Sequence, residues 1–320
     1  MMSSVIGIDI GYGETKSFHG SEAKRFPTAV TTMVQEQTFG KVSSIGVNGK
    51  EYLVGRNAAD SKWAIDIRTP GFVGSPAWLA PLGFALIQHG LDPLQIKGGK
   101  ILLGLPPGQF TTAITKSLIS FVKSSTISRN GYRYDLSSTD VVFVPQGAGI
   151  YYSYLHEIEP KAFEMNVAVV DIGHYTIDMV YFKKGDYMED STSSTPMGIS
   201  LLLDDICKEF NRTNKITIGH PEAQKLLVRG EVTFLQEVHR LARLPEIIQA
   251  YSEKVSAIID RYFASLAEKP DIGVAAGGGS LALQGRLKLQ NKMHAMREPD
   301  PVIANAKGYF YFGTKGDGRN

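Results

Sequence analysis

Two aspartates, Asp9 and Asp171, each follow a short apolar run and precede an Ile-Gly pair and small polar residues. The first segment, GIDIGYGETK, spans residues 7–16, and the second, VVDIGHYTID, spans 169–178. Glycine lets backbone N–H groups approach phosphate oxygens, and a carboxylate can hold Mg²⁺ through water. Lys16 adds a positive charge within reach of a terminal phosphate. The repeated phrase therefore predicts two phosphate-binding loops about half a chain apart.

A single copy of either segment would be equally consistent with a glycine turn beside a surface aspartate. Two copies, each after a predicted buried strand, disfavour that explanation, and neither segment matches a Walker loop or a Rossmann fingerprint. The candidate residues of the first loop are Asp9 for the metal and Gly11, Tyr12, Gly13 and Lys16 for the phosphates. Those of the second loop are Asp171 for the metal and catalysis, with Gly173, His174, Tyr175 and the hydroxyl of Thr176 for the phosphates.

A third glycine segment, VAAGGGSLAL at 274–283, follows a predicted strand and leads into a predicted helix. Glycines at such a junction let the backbone approach a flat or anionic ligand. Alone the signal is weak, because glycine-rich turns are common. Its place after two Asp-x-Gly loops strengthens it, and the candidate ligand-binding residues are Gly277, Gly278, Gly279 and Ser280.

The composition limits the classes of function. The chain has 320 residues, 43% of them hydrophobic, and a net charge of +2, which does not favour direct nucleic-acid binding. Its one cysteine, Cys207, excludes an intrachain disulfide and a cysteine-rich metal site. Neither a signal peptide nor an apolar run of membrane-spanning length is evident. The expectation is a soluble cytoplasmic α/β protein without a membrane partner.

The predicted elements repeat a strand–hairpin–helix–strand–helix order, which indicates a weak internal duplication and two closely packed lobes with a cleft between them. Short β-branched runs predict strands, namely 5–10, 140–145, 167–172 and 271–276. Asn-Gly pairs predict hairpins within 43–54 and 124–138. Apolar periodicity predicts helices, namely 78–89, 110–123, 147–156, 198–210, 245–267 and 302–312.

Taken together, Asp-x-Gly with a lysine seven residues after the aspartate, a later Asp-x-Gly-x-x-Thr and a Gly-Gly-Gly turn resemble the actin-like ATPase superfamily. That group includes actin, the sugar kinases and the heat-shock chaperone ATPase. The resemblance covers nearly the whole chain. It implies a duplicated α/β, ribonuclease H-like fold with two lobes around a nucleotide cleft. ATP or ADP with Mg²⁺ would bind there, with both hairpins on the phosphates and the glycine turn on the adenosine.

The same resemblance suggests the domain limits. The first lobe would span 1–160, with a small subdomain inserted at about 27–90. The second would span 161–320, with a small subdomain at about 205–270 and a C-terminal helix returning towards the first lobe.

Two further segments narrow the resemblance. VPQGAGIYYSYL, at 144–155, is similar to the strand–helix junction where actin-like filament proteins keep a residue that positions the attacking water, here Gln146. The alternative is a glutamine that caps the helix. IANAKGYFYFG, at 303–313, resembles the second connecting helix, with a hinge at Asn305, Ala306 and Gly308. The phrases DIGYGETK, PQGAG, GISLLLDDI and ANAKGY are most similar to plasmid-segregation actins of the ParM/StbA type and their archaeal relatives.

Four residues depart from the superfamily pattern. Tyr12 stands where actin has a phosphate-contacting serine, so that contact would be made by the backbone. His174 and Tyr175 replace small residues in the second loop. Gln146 stands where some segregation actins use glutamate, and glutamine orients water but is a poor base.

The resulting hypothesis is a filament-forming ATPase that assembles head to tail on ATP binding and is destabilised by hydrolysis. Resemblance also implies a role in plasmid segregation, through a DNA-binding adaptor protein. Two alternatives stay open: a small-molecule kinase on the same fold, and a cytoskeletal scaffold that binds ATP but hardly hydrolyses it. A chaperone ATPase is the least favoured, because no substrate-binding domain follows residue 313.

Overall fold

The computed structural model forms two compact units, which are described separately. Unit 1 comprises the chain up to Phe163 together with the segment from Val302, and unit 2 comprises Glu164–Pro301. The segment from Val302 was predicted in the second lobe, as a helix returning to the first, but it belongs to unit 1. The residues described are 4–32, 44–59, 61–69, 71–129, 131–287, 293–295 (backbone only) and 300–316.

The strands are numbered in chain order. They are β1 Val5–Ile10, β2 Glu14–His19, β3 Glu22–Pro27, β4 Val30–Thr31, β5 Ile45–Val47, β6 Lys50–Val54, β7 Lys100–Leu105, β8 Thr126–Arg129, β9 Tyr132–Asp135, β10 Asp140–Pro145, β11 Asn166–Ile172, β12 Ile177–Lys183, β13 Asp186–Tyr187, β14 Ser193–Thr195, β15 Glu231–Phe234, β16 Glu237–Arg240, β17 Ile272–Ala276 and β18 Met293–Ala295.

The α-helices are numbered in the same way. They are α1 Arg56–Ala59, α2 Pro76–Gln88, α3 Pro93–Ile96, α4 Thr112–Ser124, α5 Ala148–Glu157, α6 Ile199–Asn214, α7 His220–Arg229, α8 Leu244–Ser265, α9 Gly278–Ala282 and α10 Ala304–Lys315.

The central sheet of unit 1 brings three strand ends to one edge. Its strand order is β10-β7-β1-β2-β3, with β1, β7 and β10 parallel and the β1–β2–β3 hairpins antiparallel. The carboxyl ends of parallel strands meet at the same edge of a sheet, where ligands bind in α/β folds. Asp9 near the end of β1 and Gln146 directly after β10 therefore lie at that edge.

The central sheet of unit 2 repeats this arrangement. Its order is β13-β12-β11-β17-β18, with β14 also paired to β12. Strand β11 is antiparallel to β12 and parallel to β17, and Asp171 of β11 lies opposite Ala276 of β17. The second Asp-x-Gly loop and the glycine turn therefore leave the sheet at one edge. The β1–β2 and β11–β12 hairpins are the structural counterparts of the repeated phrase.

Each unit buries its own apolar core. In unit 1, α2 packs fully buried residues such as Leu79, Leu82 and Leu86 into the core. In unit 2, the long helix α8 contributes Val255 and Ile259 at helical spacing, as its apolar periodicity predicted. None of the helices in the described residues is long and apolar enough to cross a membrane.

A smaller sheet in unit 1, ordered β4-β6-β5-β8-β9, contains both predicted Asn-Gly hairpins. The turn between β5 and β6 places Asn48 at φ 50° and Gly49 at φ 80°, both in the left-handed region that a type I′ turn requires. In the β8–β9 hairpin Gly131 has φ 83°, and residue 130 lies outside the described residues.

One hairpin in unit 2 was not predicted. Strands β15 and β16 are joined by Leu235 at φ 46° and Gln236 at φ 69°. This turn has type I′ geometry without the Asn or Gly that normally permits it. The Leu235 side chain is 98% exposed, so no burial of that side chain compensates for the strained backbone.

Replacing Leu235 with asparagine and Gln236 with glycine should therefore stabilise the protein by about 1 kcal/mol, because both residues accept the left-handed conformation. Thermal unfolding followed by circular dichroism would measure this as a raised Tm. Gly49→Gln is the reciprocal control, since it places a side chain at φ 80° and should lower the Tm. An unchanged Tm for the double variant would show that the turn is not strained.

Candidate functional site

The first Asp-x-Gly loop, in unit 1, is organised around the buried carboxylate of Asp9, which is 4% exposed. Asp9 lies opposite Lys16 in the β1–β2 register, so both side chains project from the same face. Lys16 Nζ lies 3.4 Å from Asp9 Oδ2, and Gln146 Nε2 donates to Asp9 Oδ1 at 3.0 Å. The carboxylate of Asp9 thus contacts both the ammonium group of Lys16 and the amide of Gln146 at the edge of the sheet.

The side chain of Gln146 binds Asp9 and does not cap helix α5. The cap position belongs to Gly147, and no side chain there accepts from the helix. The backbone N–H of Gln146 donates to the carbonyl of Leu105 at 2.7 Å, which joins the ends of β10 and β7. Its amide is thus held beside the first loop, where it can orient a water molecule.

The loop between β1 and β2 depends on Gly11. A Cβ at this position would lie 3.0 Å from the carbonyl oxygen of Glu14 and 3.1 Å from Lys16 Nζ. The carbonyl of Gly13 accepts from the N–H of Thr28 at 3.1 Å, which fixes the other side of the turn. The loop therefore needs glycine for its own geometry as well as for close approach of a ligand.

A pocket beside this loop is lined by both polar and apolar residues of unit 1. Gly11, Tyr12 and Gln146 form its polar side. The rest is mostly apolar: Ile10, Ile67, Phe72, Val73, Trp78, Gly104, Leu105 and Pro106. Gln146 therefore lines a mostly apolar pocket beside the first loop.

The second Asp-x-Gly loop, in unit 2, is anchored on the start of helix α6. The carbonyls of Gly173, His174 and Tyr175 accept from three successive backbone N–H groups at 2.8–3.0 Å. The donors are Ile199, Ser200 and Gly198, in the same order. The N–H of Gly173 also donates to the carbonyl of Thr176 at 2.9 Å and closes the turn.

This anchoring determines where the donors of the loop point. In a trans peptide the N–H lies opposite the C=O of the same unit. Since three successive carbonyls point at α6, the N–H groups of His174, Tyr175 and Thr176 point away from it. Such a row of outward N–H groups is a favourable arrangement for a phosphate.

The anchoring also depends on a residue that sequence analysis did not assign to the site, Gly198. A Cβ there would lie 2.4 Å from the carbonyl oxygen of His174 and 2.4 Å from the carbonyl carbon of Tyr175. Only glycine allows α6 to start this close to the loop. Its place directly before the helix, in GISLLLDDI, was the available signal, but the close approach depends on the tertiary fold.

The Thr176 hydroxyl, which was predicted to contact phosphate, makes a hydrogen bond within the second loop. Thr176 Oγ1 donates to Asp178 Oδ2 at 2.8 Å, and Asp178 is buried. The hydroxyl proton of Thr176 is thus engaged in a hydrogen bond within the loop. Thr176 can still offer its backbone N–H.

A cation fits the second loop on electrostatic grounds. Asp171 lies directly opposite Asp178 in the β11–β12 register, as Asp9 lies opposite Lys16 in the first hairpin. Asp178 therefore occupies the position that corresponds to Lys16. Like charges opposite each other on a sheet repel, and a divalent cation would offset that repulsion.

The donor chemistry suits Mg²⁺, which binds through one or two carboxylates plus phosphate oxygens and water. No cluster of three or more His, Cys, Asp or Glu side chains that could hold a metal occurs among the described residues. The phosphates would therefore supply much of the coordination. Asp171 is the carboxylate of the second loop that would take part, and Asp9 is its counterpart in the first loop.

The glycine turn packs against the end of β11. Gly277 has φ 86°, and a Cβ there would lie 2.3 Å from Asp171 Oδ1. A Cβ at Gly279 would lie 2.3 Å from Ile172 Cγ2, whereas one at Gly278 would meet nothing within 4 Å. Ser280 Oγ donates to the carbonyl of Gly277 at 2.8 Å. Packing therefore requires Gly277 and Gly279, and only Gly278 is open to a ligand.

The substitution Gly278→Ala distinguishes an effect on ligand binding from an effect on folding. The added methyl group has space and a compatible φ, so the Tm should stay unchanged, while affinity for ATP should fall about tenfold if the nucleotide packs on this residue. Titration with a fluorescent ATP analogue would measure the change. Gly108→Ala, which also has open space, is the matched control. Equal affinities for both variants would remove Gly278 from the site.

His174 has neighbours that sequence analysis did not connect with it. Its ring centroid lies 4.5 Å from that of Tyr175 and 6.0 Å from that of His220, the first residue of α7. His220 Nε2 in turn lies 2.7 Å from Asp204 Oδ1. The bulky residues at 174 and 175 therefore pack beside the loop, and its backbone still forms the anchored turn.

Two protein families match the chain. Residues 7–149 match the N-terminal domain of actin-like proteins, and residues 169–289 match the C-terminal domain of the archaeal MreB-like actin homologues. No curated protein sequence matches.

Solved structures with the same fold cover almost the whole chain. Ta0583, an archaeal actin homologue, is 18% identical and superposes with a TM-score of 0.82, over 98% of this chain and 99% of that one. It has also been solved in complex with ADP. ParM from a 15-stranded Clostridium botulinum filament is 21% identical, with a TM-score of 0.77 over 98% and 100%. Bacillus thuringiensis ParM with ATP is 14% identical, with a TM-score of 0.69 over 98% of each chain.

The predicted duplicated α/β fold is confirmed by these superpositions. The two domain matches follow each other along the chain and contain both Asp-x-Gly loops and the glycine turn. The chain therefore carries an actin-like N-terminal domain followed by a C-terminal domain of the archaeal MreB-like actin homologues.

Proposed function

We propose that this chain binds ATP with Mg²⁺, hydrolyses it, and assembles into filaments. The observation that carries the proposal is the second loop, whose three carbonyls are turned onto α6 so that three N–H groups face outward beside Asp171. A loop with this geometry binds phosphate through its backbone. The matching hairpin of unit 1 supplies what the second lacks, a lysine.

The proposed roles follow from these positions. Asp9 in unit 1 and Asp171 in unit 2 are the proposed Mg²⁺ ligands, and the cation would neutralise phosphate charge. Lys16 moves from Asp9 to a terminal phosphate oxygen. The N–H groups of the second loop bind phosphate oxygens, and Gly278 lies against the adenosine.

Gln146 orients the attacking water through its Oε1, since its Nε2 donates to Asp9. An amide has no basic site at neutral pH, so its contribution is to position the water. Replacing Gln146 with alanine should slow phosphate release about 10- to 100-fold and leave ATP affinity unchanged. Single-turnover phosphate release and nucleotide titration would measure the two effects. Unchanged turnover would remove Gln146 from catalysis.

Self-association is supported by the ParM relative that was solved as a filament. A head-to-tail contact does not close on itself and so gives an open polymer. We propose that ATP favours assembly and hydrolysis weakens it. Plasmid segregation through a DNA-binding adaptor is the cellular role that the likeness to ParM suggests.

Light scattering and pelleting with ATP, with phosphate release in parallel, test the proposal. Polymer formation with phosphate release is the expected result. Polymer without phosphate release would indicate an ATP-bound scaffold. ATP consumption stimulated by a metabolite, without polymer, would indicate a small-molecule kinase and overturn the proposed function.

A further inference from the structure

Helix α10 reaches the residue next to Gln146 through one buried side chain. Asn305, in the first turn of α10, is 5% exposed, and its Oδ1 accepts from the backbone N–H of Gly147 at 3.0 Å. Both residues belong to unit 1. Neither matched family segment extends to α10.

The N–H of Gly147 depends on this bond. Gly147 is buried, has φ 88°, and occupies the cap position of α5, where no side chain provides a cap. A buried N–H that loses its acceptor is strongly unfavourable. Asn305 therefore fixes the peptide that joins Gln146 to Gly147.

Gln146 is consequently held on both sides. Its own N–H donates to the carbonyl of Leu105, and the next N–H donates to Asn305. Only the side-chain torsions remain adjustable, and the bond to Asp9 limits those. The position of the Gln146 amide is thus set partly by α10.

The short asparagine side chain can reach Gly147 because α5 and α10 touch backbone to backbone. A Cβ at Gly149 would lie 2.3 Å from the carbonyl oxygen of Asn305, and one at Gly308 would lie 1.6 Å from the carbonyl oxygen of Gly149. Both glycines are therefore required for the crossing. Their packing role explains how the amide of residue 305 comes within hydrogen-bond distance.

The chain also connects this bond to the glycine turn of unit 2. Within unit 2, the N–H of Gly277 donates to the carbonyl of Pro301 at 3.0 Å. Within unit 1, Asn305 binds Gly147. Pro301 and Asn305, the two residues that carry these bonds, are four positions apart along the chain.

We propose that Asn305 is a positioning residue for hydrolysis, which holds the Gln146 peptide so that its amide can orient water. This inference rests on the proposed ATPase function. It assigns the hydrogen bond of Asn305 a kinetic effect in addition to its effect on stability.

The test compares Asn305→Ala, Asn305→Asp and Gln146→Ala with the double variant Asn305→Ala/Gln146→Ala. Asn305→Ala should slow single-turnover phosphate release about tenfold, with ATP affinity unchanged within about twofold. Asn305→Asp keeps an acceptor oxygen and should retain most of the rate. The double variant should be no slower than Gln146→Ala, because both changes remove the same contribution.

Tyr311→Phe is the matched control. It removes another bond between α10 and α5, the donation of Tyr311 Oη to Glu157 Oε1 at 2.6 Å, without touching Gly147. Its phosphate release should match that of the wild type even if its Tm falls. Amide hydrogen exchange supplies a readout besides activity: the N–H of Gly147 should exchange faster in Asn305→Ala and stay protected in Tyr311→Phe.

The outcomes separate the two proposals. A wild-type protein that releases no phosphate overturns the proposed function and this inference with it. An active wild type with normal phosphate release in Asn305→Ala overturns the inference alone. A rate in the double variant well below that of Gln146→Ala also overturns it, because Asn305 would then act independently of Gln146.

Discussion

Replacing Asp171 with alanine should reduce Mg²⁺-dependent phosphate release by at least about 100-fold. In the proposed site this carboxylate holds the cation that neutralises the phosphates, beside the outward N–H groups of the second loop. Mg²⁺-dependent ATP affinity should fall with it. Phosphate release and nucleotide titration, each with Mg²⁺ and with EDTA, would measure both effects.

Asp190→Ala is the control for this substitution. It removes an exposed carboxylate from the same unit and should behave like the wild type. Circular dichroism would establish that both variants fold. Near-normal phosphate release in a folded Asp171→Ala protein would refute the assignment of the second loop to the nucleotide site.

Gly198→Ala should weaken ATP binding by about 10- to 100-fold, although residue 198 lies outside both Asp-x-Gly loops. The added Cβ would press on the backbone of His174 and Tyr175, which cannot rotate away as a side chain could. Displacing that backbone breaks the anchoring on α6 and misdirects the N–H groups. Overpacking of this kind also destabilises a fold by about 1–3 kcal/mol.

Gly219→Ala provides a matched comparison. Gly219 occupies the cap position of α7 in the same unit, as Gly198 does at α6, and both have extended backbone. A Cβ at Gly219 would make contacts only at 3.6 and 3.8 Å. This variant should keep wild-type affinity. If both variants bind ATP equally well, the phosphate loop does not depend on its anchoring.

The parts of the fold that follow from local patterns were predictable. The ends of β1 and β11 were marked by β-branched runs before Asp-Ile-Gly, and α8 was marked by its apolar periodicity. The Asn-Gly pair located the β5–β6 turn. The β15–β16 hairpin was missed because Leu235 and Gln236 are residue types that seldom adopt the positive φ they have here.

The parts of the site that depend on tertiary contacts were harder to predict from the sequence. The Thr176 hydroxyl was expected on a phosphate, and its hydrogen bond to Asp178 could not be foreseen, because that bond depends on how the two side chains are placed by the fold. The three glycines at 277–279 looked equivalent in sequence. Only their distances to β11 separate the two required by packing from Gly278.

Unit 1 is discontinuous in sequence, and this affects the order in which the protein can fold during synthesis. All of Glu164–Pro301 leaves the ribosome before α10 does, so unit 2 can complete its core first. Until α10 emerges, Gly7 and Gly149 of unit 1 lack the helix that packs against them. Gly147 meanwhile lacks the acceptor that Asn305 supplies, so the peptide that joins Gln146 to Gly147 is not yet fixed. Unit 1 therefore completes its packing only after α10 has been synthesised.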